Sequence, residues 1–226
     1  MNAQTVGYTR RAGLGPWTQV ADQAQRLQIL SRMGEHRQVL AEAGGLRARM
    51  DQLPALRGDG EAFYPWNVRE TILNTASVSA LALREWQQGL ELNAAVVASK
   101  RQRGTGDQEI ARYLLGDTGP LIELGQTAEA VRILGDCQRV FERYGDLTQL
   151  ALVLSTRASL EGRLGHPETA AELERNALRL TYAQHDPRDI TISHHSLAGH
   201  LRASGADPAG QRALLLAAAL STGSPA

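Results

Sequence analysis

A turn pattern that recurs along the chain limits its fold more than any other feature. Three segments align without gaps, and their glycines, Gly125, Gly165 and Gly205, lie 40 residues apart. Two earlier segments match the same pattern, with Arg84 and Gly34 in the glycine position. A glycine ends a helix readily because it adopts the left-handed backbone conformation at little cost. The pattern therefore predicts five helical hairpins in succession.

The residues that follow each turn predict close packing of the second helix against the first. Five positions after the turns the residue is small or of modest size: Val39, Gly89, Ala130, Ala170 and Gly210. Apolar residues then recur at spacings of three and four, which places them on one face of a helix. In the third and fourth hairpins these residues are Ala130, Ile133, Leu134, Cys137, Val140, Phe141, Tyr144, Ala170, Leu173, Ala177 and Leu180. Aromatic residues make up only 4% of the chain, which suits close-packed helices better than a β-sandwich.

Capping residues predict where several helices begin. Asn67 and Thr105 each precede a Glu or a Gln by three residues, as in a capping box. Pro187 and Pro208 each follow an aspartate and suit the first position of a helix. These four signals predict the starts of four helices in the hairpin array.

A segment rich in Gly and Pro, 53–65, separates the first two hairpins and predicts an extended connection between them. Three aromatic residues, Phe63, Tyr64 and Trp66, lie at its end. They suit either a lid over a binding groove or a buried plug beside the connection. We favour the plug, because large aromatic side chains mostly supply buried area.

Together these residues resemble tetratricopeptide repeats (TPRs), which have a small residue in the first helix, a glycine at the turn and an alanine early in the second helix. Small first-helix residues lie seven positions before four of the turns: Ser77, Thr118, Ala158 and Ala198. The period of about 40 residues is similar to that of long-period bacterial TPR proteins. The resemblance implies an all-α fold, a right-handed α-solenoid of about five antiparallel helix pairs over 19–220. We expect a polar N-terminal segment, 1–18, and a disordered tail, 221–226.

The resemblance also implies a concave groove, lined by the first helix of each pair, that binds a peptide, a protein segment or a small ligand. Mapped from the turns, the groove residues are Asn74, Arg112, Leu115, Ser155, Arg163, His195 and Arg202. This surface mixes charged, polar and apolar side chains. It does not reproduce the Lys/Asn clamp by which some TPR proteins hold a C-terminal carboxylate.

Composition argues against several classes of partner. The chain has 24 Lys and Arg residues against 24 Asp and Glu residues, so no net charge attracts nucleic acid or an acidic membrane surface. The longest apolar run, 213–220, is far shorter than the roughly 20 residues that span a bilayer. Cys137 is the single cysteine, which rules out an internal disulfide. Because it lies in an apolar stripe, we interpret it as a small buried hydrophobe in a cytoplasmic protein.

No motif in the sequence predicts a catalytic, metal or cofactor site. Three histidines lie close together, but His195 and His200 are turned about 140° apart on a helix, which favours packing or groove-lining over metal binding. The segment 104–109 begins like a dinucleotide-binding loop but lacks the third glycine, so we interpret it as a turn between repeats. The acidic pair Glu172 and Glu174 is expected on a solvated helix surface.

The sequence therefore predicts a non-catalytic binding or assembly scaffold whose groove takes a protein or peptide segment. One alternative is a ligand-responsive regulatory domain of a larger bacterial signalling or transcription-regulatory protein, and an enzyme on a helical scaffold comes third. The helix predicted over 212–220 is apolar nearly all round, so this end is expected to be covered. Either a further domain covers it, or a homodimer forms through Leu214, Leu215, Leu216 and Leu220.

Overall fold

The computed structural model describes residues 15–53, 64–184, 187–205, 208–212 and 214–215, and every regular element within them is an α-helix. Residues 208–212 and 214–215 form the last helical stretch. The preceding helices are, in chain order, α1 (Pro16–Arg32), α2 (His36–Met50), α3 (Pro65–Ala82), α4 (Trp86–Gln102), α5 (Asp107–Glu123), α6 (Thr127–Tyr144), α7 (Leu147–Arg163), α8 (Pro167–Gln184) and α9 (Pro187–Ala203). The all-α prediction is confirmed for this part of the chain.

Two compact units make up the chain, residues 1–105 and residues 106–226. The first unit contains α1 to α4, and the second contains α5 to α9. Within each unit consecutive helices pack against each other. The first helices of neighbouring pairs are also in contact: α1 with α3, α5 with α7, and α7 with α9. In each unit the first helices therefore lie side by side, as in helical repeat proteins.

One residue at each turn within the helix pairs adopts the left-handed backbone conformation, as predicted. Positive φ values of 62–86° occur at all five predicted turn residues, Gly34, Arg84, Gly125, Gly165 and Gly205. Gly104 also has a positive φ, of 72°. The interpretation of 104–109 as a turn between repeats is thereby confirmed for 104–106, whereas 107–109 form the first turn of α5.

Arg84 is the one non-glycine residue with positive φ among the residues that the structure describes. A Cβ atom costs about 1–2 kcal/mol in this conformation. Glycine avoids this cost, but its greater flexibility in the unfolded chain offsets part of the gain. We therefore expect Arg84→Gly to raise the free energy of unfolding by about 0.5–1 kcal/mol. The matched control Ala94→Gly, at an exposed position of α4, should lower it by about 1 kcal/mol. Urea denaturation measures both, and a less stable Arg84→Gly protein would contradict the expectation.

Small residues bring the paired helices close together. The residues five positions after the first four turns, Val39, Gly89, Ala130 and Ala170, are all buried, but Gly210 is exposed, so the prediction is wrong there. The small first-helix residues are buried as well: Ser77, Thr118, Ala158 and Ala198. In the second pair the Ser77 hydroxyl donates a 2.8 Å hydrogen bond to the Gly89 carbonyl. A Cβ on Gly89 would lie 2.2 Å from Leu81 Cδ2, so the Leu81 side chain would have to move to admit a side chain there.

Each unit has its own apolar core. Trp17, Leu27 and Ile72 are fully buried in the first unit, and Leu134 and Phe141 in the second. The predicted stripe of α6 is confirmed except at its end, where Val140 is half-buried and Tyr144 is exposed. The Tyr144 hydroxyl donates a 2.8 Å hydrogen bond to Asp107 Oδ1, which keeps this amphipathic ring at the surface.

Two helix starts differ from their predictions. Helix α3 begins at Pro65, so Asn67 lies inside the helix instead of capping it. Proline suits this first position because its φ is already helical and it has no N–H to satisfy. Helix α5 begins at Asp107 with Gly106 as its N-cap, one residue later than predicted from Thr105. Pro187 and Pro208 are the first residues of their helices, as predicted.

Candidate functional site

The second unit contains a cavity of about 190 Å³ between α7, α8 and α9. Its wall combines four hydroxyl side chains and one carboxylate with three apolar side chains. The lining residues are Thr148, Ala151, Leu152, Ser155, Thr181, Asp189, Ile192 and Ser193. Ser155, which the sequence placed in the groove, is the predicted site residue that lines this cavity.

Helical spacing explains how the sequence builds this cavity. On α7, Thr148, Ala151, Leu152 and Ser155 recur at spacings of three and four, so they share one face. On α9, Asp189, Ile192 and Ser193 do the same. Leu152 is 50% exposed and Ile192 is 51% exposed. These two aliphatic side chains lie thirteen residues before their turn glycines, so they occupy the same position in consecutive repeats.

A buried carboxyl group, that of Glu174 on α8, lies directly behind the cavity wall. Glu174 is 0% exposed, and the Ser155 hydroxyl donates a 2.8 Å hydrogen bond to its Oε2 atom. Its Oε1 atom is buried without a hydrogen-bond partner in the described part of the chain. Burial raises the pKa of Glu174, and hydrogen bonding by Ser155 and Ser193 offsets this only in part.

The expectation that Glu174 lies on a solvated surface is therefore wrong. Its neighbour Glu172 is exposed as expected. Glu174 follows Ala170 by four residues and precedes Ala177 by three, and both alanines are fully buried. This position in the apolar stripe of α8 was the signal in the sequence that could have identified it.

Replacing Glu174 by glutamine is expected to stabilise the protein increasingly as the pH rises. The pKa of Glu174 is raised in the folded state. Its contribution to stability is therefore fully present at a pH below its pKa in the unfolded chain, and it is lost as the pH rises through its pKa in the folded chain. We expect Glu174→Gln to raise the free energy of unfolding by about 1–2 kcal/mol at pH 8, and by less at pH 4. Urea denaturation at both pH values measures this. The exposed control Glu172→Gln should change little, and an equal effect of Glu174→Gln at both pH values would contradict the expectation.

The other predicted groove residues of the second unit have structural partners or lie apart from the cavity wall. Arg112 donates a 2.6 Å hydrogen bond to Asp146, which also caps α7. Arg163 forms an ion pair with Glu123. Leu115 is only 4% exposed, so it contributes little to any surface. His195 and Arg202 are exposed on α9.

The three histidines of α9 have separate environments. His194 is buried, and its Nε2 atom lies 2.7 Å from the Tyr182 hydroxyl. Burial lowers the pKa of His194, and the neighbouring His195 lowers it further. His195 is exposed and His200 is half-buried. No group of three metal-binding side chains occurs within the described residues.

Cys137 is a buried thiol on α6. It is 1% exposed, and its Sγ atom lies 3.3 Å from the Ala111 carbonyl oxygen. Burial raises the pKa of Cys137 to about 11, with smaller contributions from Asp136 and Asp117. The interpretation as a small buried hydrophobe is confirmed, because a reactive cysteine needs a lowered pKa and an accessible site.

The first unit contains a second cavity, of about 240 Å³, between α1 and α3. Its lining is mainly polar and consists of Ala21, Ala24, Gln25, Gln28, Asn67, Val68 and Thr71. The predicted groove residue Asn74 is half-buried on α3 and does not belong to this lining. Among the described residues, no helix has the length and apolar character needed to cross a bilayer.

A buried ion-pair cluster also lies in the first unit, around Glu70. Its carboxylate accepts hydrogen bonds of 2.7 Å from Ser99 and 2.9 Å from Arg103, and Lys100 Nζ lies 3.2 Å away. Burial acts to raise the pKa of Glu70, but the hydrogen bonds from Arg103, Ser99 and Lys100 outweigh it, and the pKa is lowered. This carboxylate is therefore compensated by cations of its own chain.

The aromatic residues next to this cluster do not form the predicted buried plug. Tyr64 is 50% exposed and Trp66 is 38% exposed. Their rings stack with centroids 5.8 Å apart, and the Arg103 guanidinium lies 4.0 Å from the Trp66 ring centre. This cation–π contact holds the indole ring at the surface. Phe63 lies outside the described residues.

Comparison with known proteins identifies the fold. No family model and no curated protein matches the chain. The crystal structure of BtubC (BKLC) from P. vanneervenii matches with a TM-score of 0.71 and 15% identity, over 99% of this chain and 91% of that chain. The TPR-like repeats of a putative kinesin light chain from Podosopora anserina match with a TM-score of 0.56 and 16% identity, over 91% of this chain and 94% of that chain. This chain has a TPR-like fold. The predicted TPR-like α-solenoid of helix pairs is thereby confirmed.

Proposed function

We propose that this protein is a non-catalytic binding module that recognises a peptide segment of a partner protein at the cavity between α7, α8 and α9. The observation that carries the proposal is the pairing of two half-exposed aliphatic side chains, Leu152 and Ile192, with hydroxyl groups in the same cavity wall. Apolar contact area provides affinity, while a few converging polar groups orient the bound segment. A repeat fold that lines one face with successive first helices suits an extended partner.

The size of the cavity favours a peptide over a small regulatory ligand. Pockets that enclose drug-sized ligands measure about 300–1,000 Å³. The cavities of the two units measure about 190 Å³ and 240 Å³. Each therefore suits a single side chain better than a whole metabolite. For this reason the binding scaffold is preferred over the ligand-responsive regulatory domain, and the proposal needs no cofactor.

Further parts of the proposal concern subfamily, location and self-association. We assign the protein to the long-period bacterial type, on the 40-residue spacing of its last three turns, and to the cytoplasm, on its single, buried cysteine. Leu214 packs against the cluster of Ala171, Leu178 and Leu197, and Leu215 is exposed. Leu216 and Leu220 lie outside the described residues, so the homodimer through the four leucines stays a prediction.

Selection from a random library of peptides of about 12 residues tests the peptide-binding proposal. Peptides selected on the wild-type chain are measured by calorimetry against the double variant Leu152→Asp/Ile192→Asp, in which two charges replace the aliphatic contact. We expect the double variant to bind at least about tenfold more weakly, because it loses apolar contact at two sites. Both residues are half-exposed, so thermal stability should change little.

The control for this experiment is Leu164→Asp. Leu164 has the same 50% exposure as Leu152 but lies at the end of α7, next to the turn. It should leave peptide affinity unchanged. Equal affinity of the wild type and the double variant would place binding elsewhere, and a library that yields no binder would contradict the proposed function.

A further inference from the structure

The polar side chains described in the lining of the second unit's cavity are hydroxyl groups and one carboxylate. Its lining contains the hydroxyl groups of Thr148, Ser155, Thr181 and Ser193 and the carboxylate of Asp189, and no lysine, arginine or histidine lines it within the described part of the chain. Hydroxyl and carboxylate oxygens accept hydrogen bonds, and a carboxylate also attracts a positive charge. The three remaining lining residues are apolar: Ala151, Leu152 and Ile192.

Glu174 adds a second carboxyl group directly behind this wall. It is fully buried, and Ser155, which hydrogen-bonds its Oε2 atom, lines the cavity. Ser193, also in the lining, hydrogen-bonds the same carboxyl group. The unpartnered Oε1 atom thus belongs to a side chain that lies behind the serines of the cavity wall. A buried polar atom without a partner is costly, so its retention in a native fold calls for an explanation.

The first unit shows how this chain compensates a buried carboxylate. Glu70 has Lys100 and Arg103 as cationic partners and Ser99 as a hydroxyl donor. Glu174 has serine partners but no cation among the described groups that act on it. Compared with Glu70, Glu174 therefore has its hydroxyl partners but lacks a cationic partner.

We propose that the missing charge comes from the partner, and that this cavity takes an arginine or lysine side chain of the bound peptide. This inference rests on the proposed peptide-binding function and names the anchor residue that the site selects. The alkyl part of the side chain lies along Ala151, Leu152 and Ile192, because long basic side chains bury their stems against apolar surface. The cationic head donates to the hydroxyl oxygens of Ser155 and Ser193, beside the carboxylate of Asp189 and in front of the buried carboxyl group of Glu174.

Short peptides that differ in one side chain test this inference. The probes are acetyl-Ala-Ala-Xaa-Ala-Ala-amide peptides in which Xaa is arginine, lysine, citrulline, leucine or glutamate. Citrulline has nearly the shape of arginine but carries no charge, so it separates charge from fit. Each peptide is titrated into the full-length, nitrogen-15-labelled chain, and Kd is read from the amide shifts of residues 148–155 and 189–193. We expect the arginine and lysine peptides to bind about tenfold more tightly than the citrulline peptide.

Two matched variants separate the role of Glu174 from that of general surface charge. Glu174→Gln keeps the size of the side chain and removes its charge, and it should reduce the preference for arginine over citrulline severalfold. Glu172→Gln removes a charge from the exposed side of the same helix and should leave the preference unchanged. An unchanged preference in Glu174→Gln would overturn the role of Glu174.

The results also distinguish failure of this inference from failure of the proposed function. If the leucine or citrulline peptide shifts the cavity amides with a Kd equal to or below that of the arginine peptide, the basic anchor is wrong while peptide binding stands. If none of the five peptides shifts these amides at millimolar concentration, both this inference and the proposed peptide site are overturned.

Discussion

Replacing Glu70 by alanine should lower the free energy of unfolding by about 3–5 kcal/mol. The substitution removes the carboxylate that Ser99, Lys100 and Arg103 share. The Lys100 side chain is only 6% exposed, and removing its buried counter-charge is costly because water cannot replace it. All three tryptophans, Trp17, Trp66 and Trp86, belong to the first unit. Tryptophan fluorescence during urea denaturation therefore reports directly on the unit that the substitution affects.

The control for Glu70→Ala is Glu91→Ala, which removes an exposed carboxylate from α4 and should change stability by less than about 0.5 kcal/mol. The pKa of Glu70 is lowered in the folded state. Its contribution to stability is therefore present at a pH above its pKa in the unfolded chain, and it is lost as the pH falls through its pKa in the folded chain. The difference between wild type and Glu70→Ala should shrink on acidification. A loss no larger than that of the control at pH 7 would contradict the ion-pair cluster.

Phe141→Ala should destabilise the second unit by about 3–5 kcal/mol. Phe141 is a large, fully buried side chain on α6, and its removal loses apolar burial and leaves a cavity that a helical core closes only in part. Urea denaturation followed by circular dichroism measures the loss. Val131→Ala, at an exposed position of the same helix, should cost less than about 0.5 kcal/mol. Equal losses in the two variants would contradict the described packing of α6.

The helix pairs could be predicted from the sequence because their signals are local. A left-handed turn needs a residue that tolerates positive φ, and Gly125, Gly165 and Gly205 meet this need by their chemistry alone. Arg84 could be placed only because the repeat aligned it with these glycines. The small residues that follow the turns were predictable for the same reason, since a fixed distance along the chain places them at the helix contact.

The candidate site was harder to predict, because its chemistry depends on what the fold places around each side chain. Ser155 was identified from its repeat position, but Glu174 looked like an ordinary surface acid until α7 and α9 were placed against α8. Arg112 and Arg163 were predicted as groove residues from their repeat positions. In the structure they form ion pairs with Asp146 and Glu123, which lie more than thirty positions away along the chain. Such long-range pairings cannot be read from the spacing of a single helix.

The opposite environments of Glu70 and Glu174 connect the fold to the proposed function. Both carboxyl groups are buried by the same kind of helix packing. The chain supplies cationic partners to Glu70. Glu174 instead has an unpartnered oxygen atom behind a cavity whose half-exposed side chains, Leu152 and Ile192, are aliphatic. A structural role alone would be better served by an apolar side chain at position 174, because a buried carboxyl group without a cationic partner is destabilising. This difference supports the proposed role of Glu174 in recognition.

Amide chemical-shift mapping of a library-selected peptide on the full-length chain tests the central claim most directly. The proposed binding site predicts that the largest shifts occur at residues 148–155 of α7 and 189–193 of α9, and that they disappear in the Leu152→Asp/Ile192→Asp variant. Largest shifts on the exposed surface of α6, around Val131 and Arg139, with no change at α7 and α9, would contradict the proposed site.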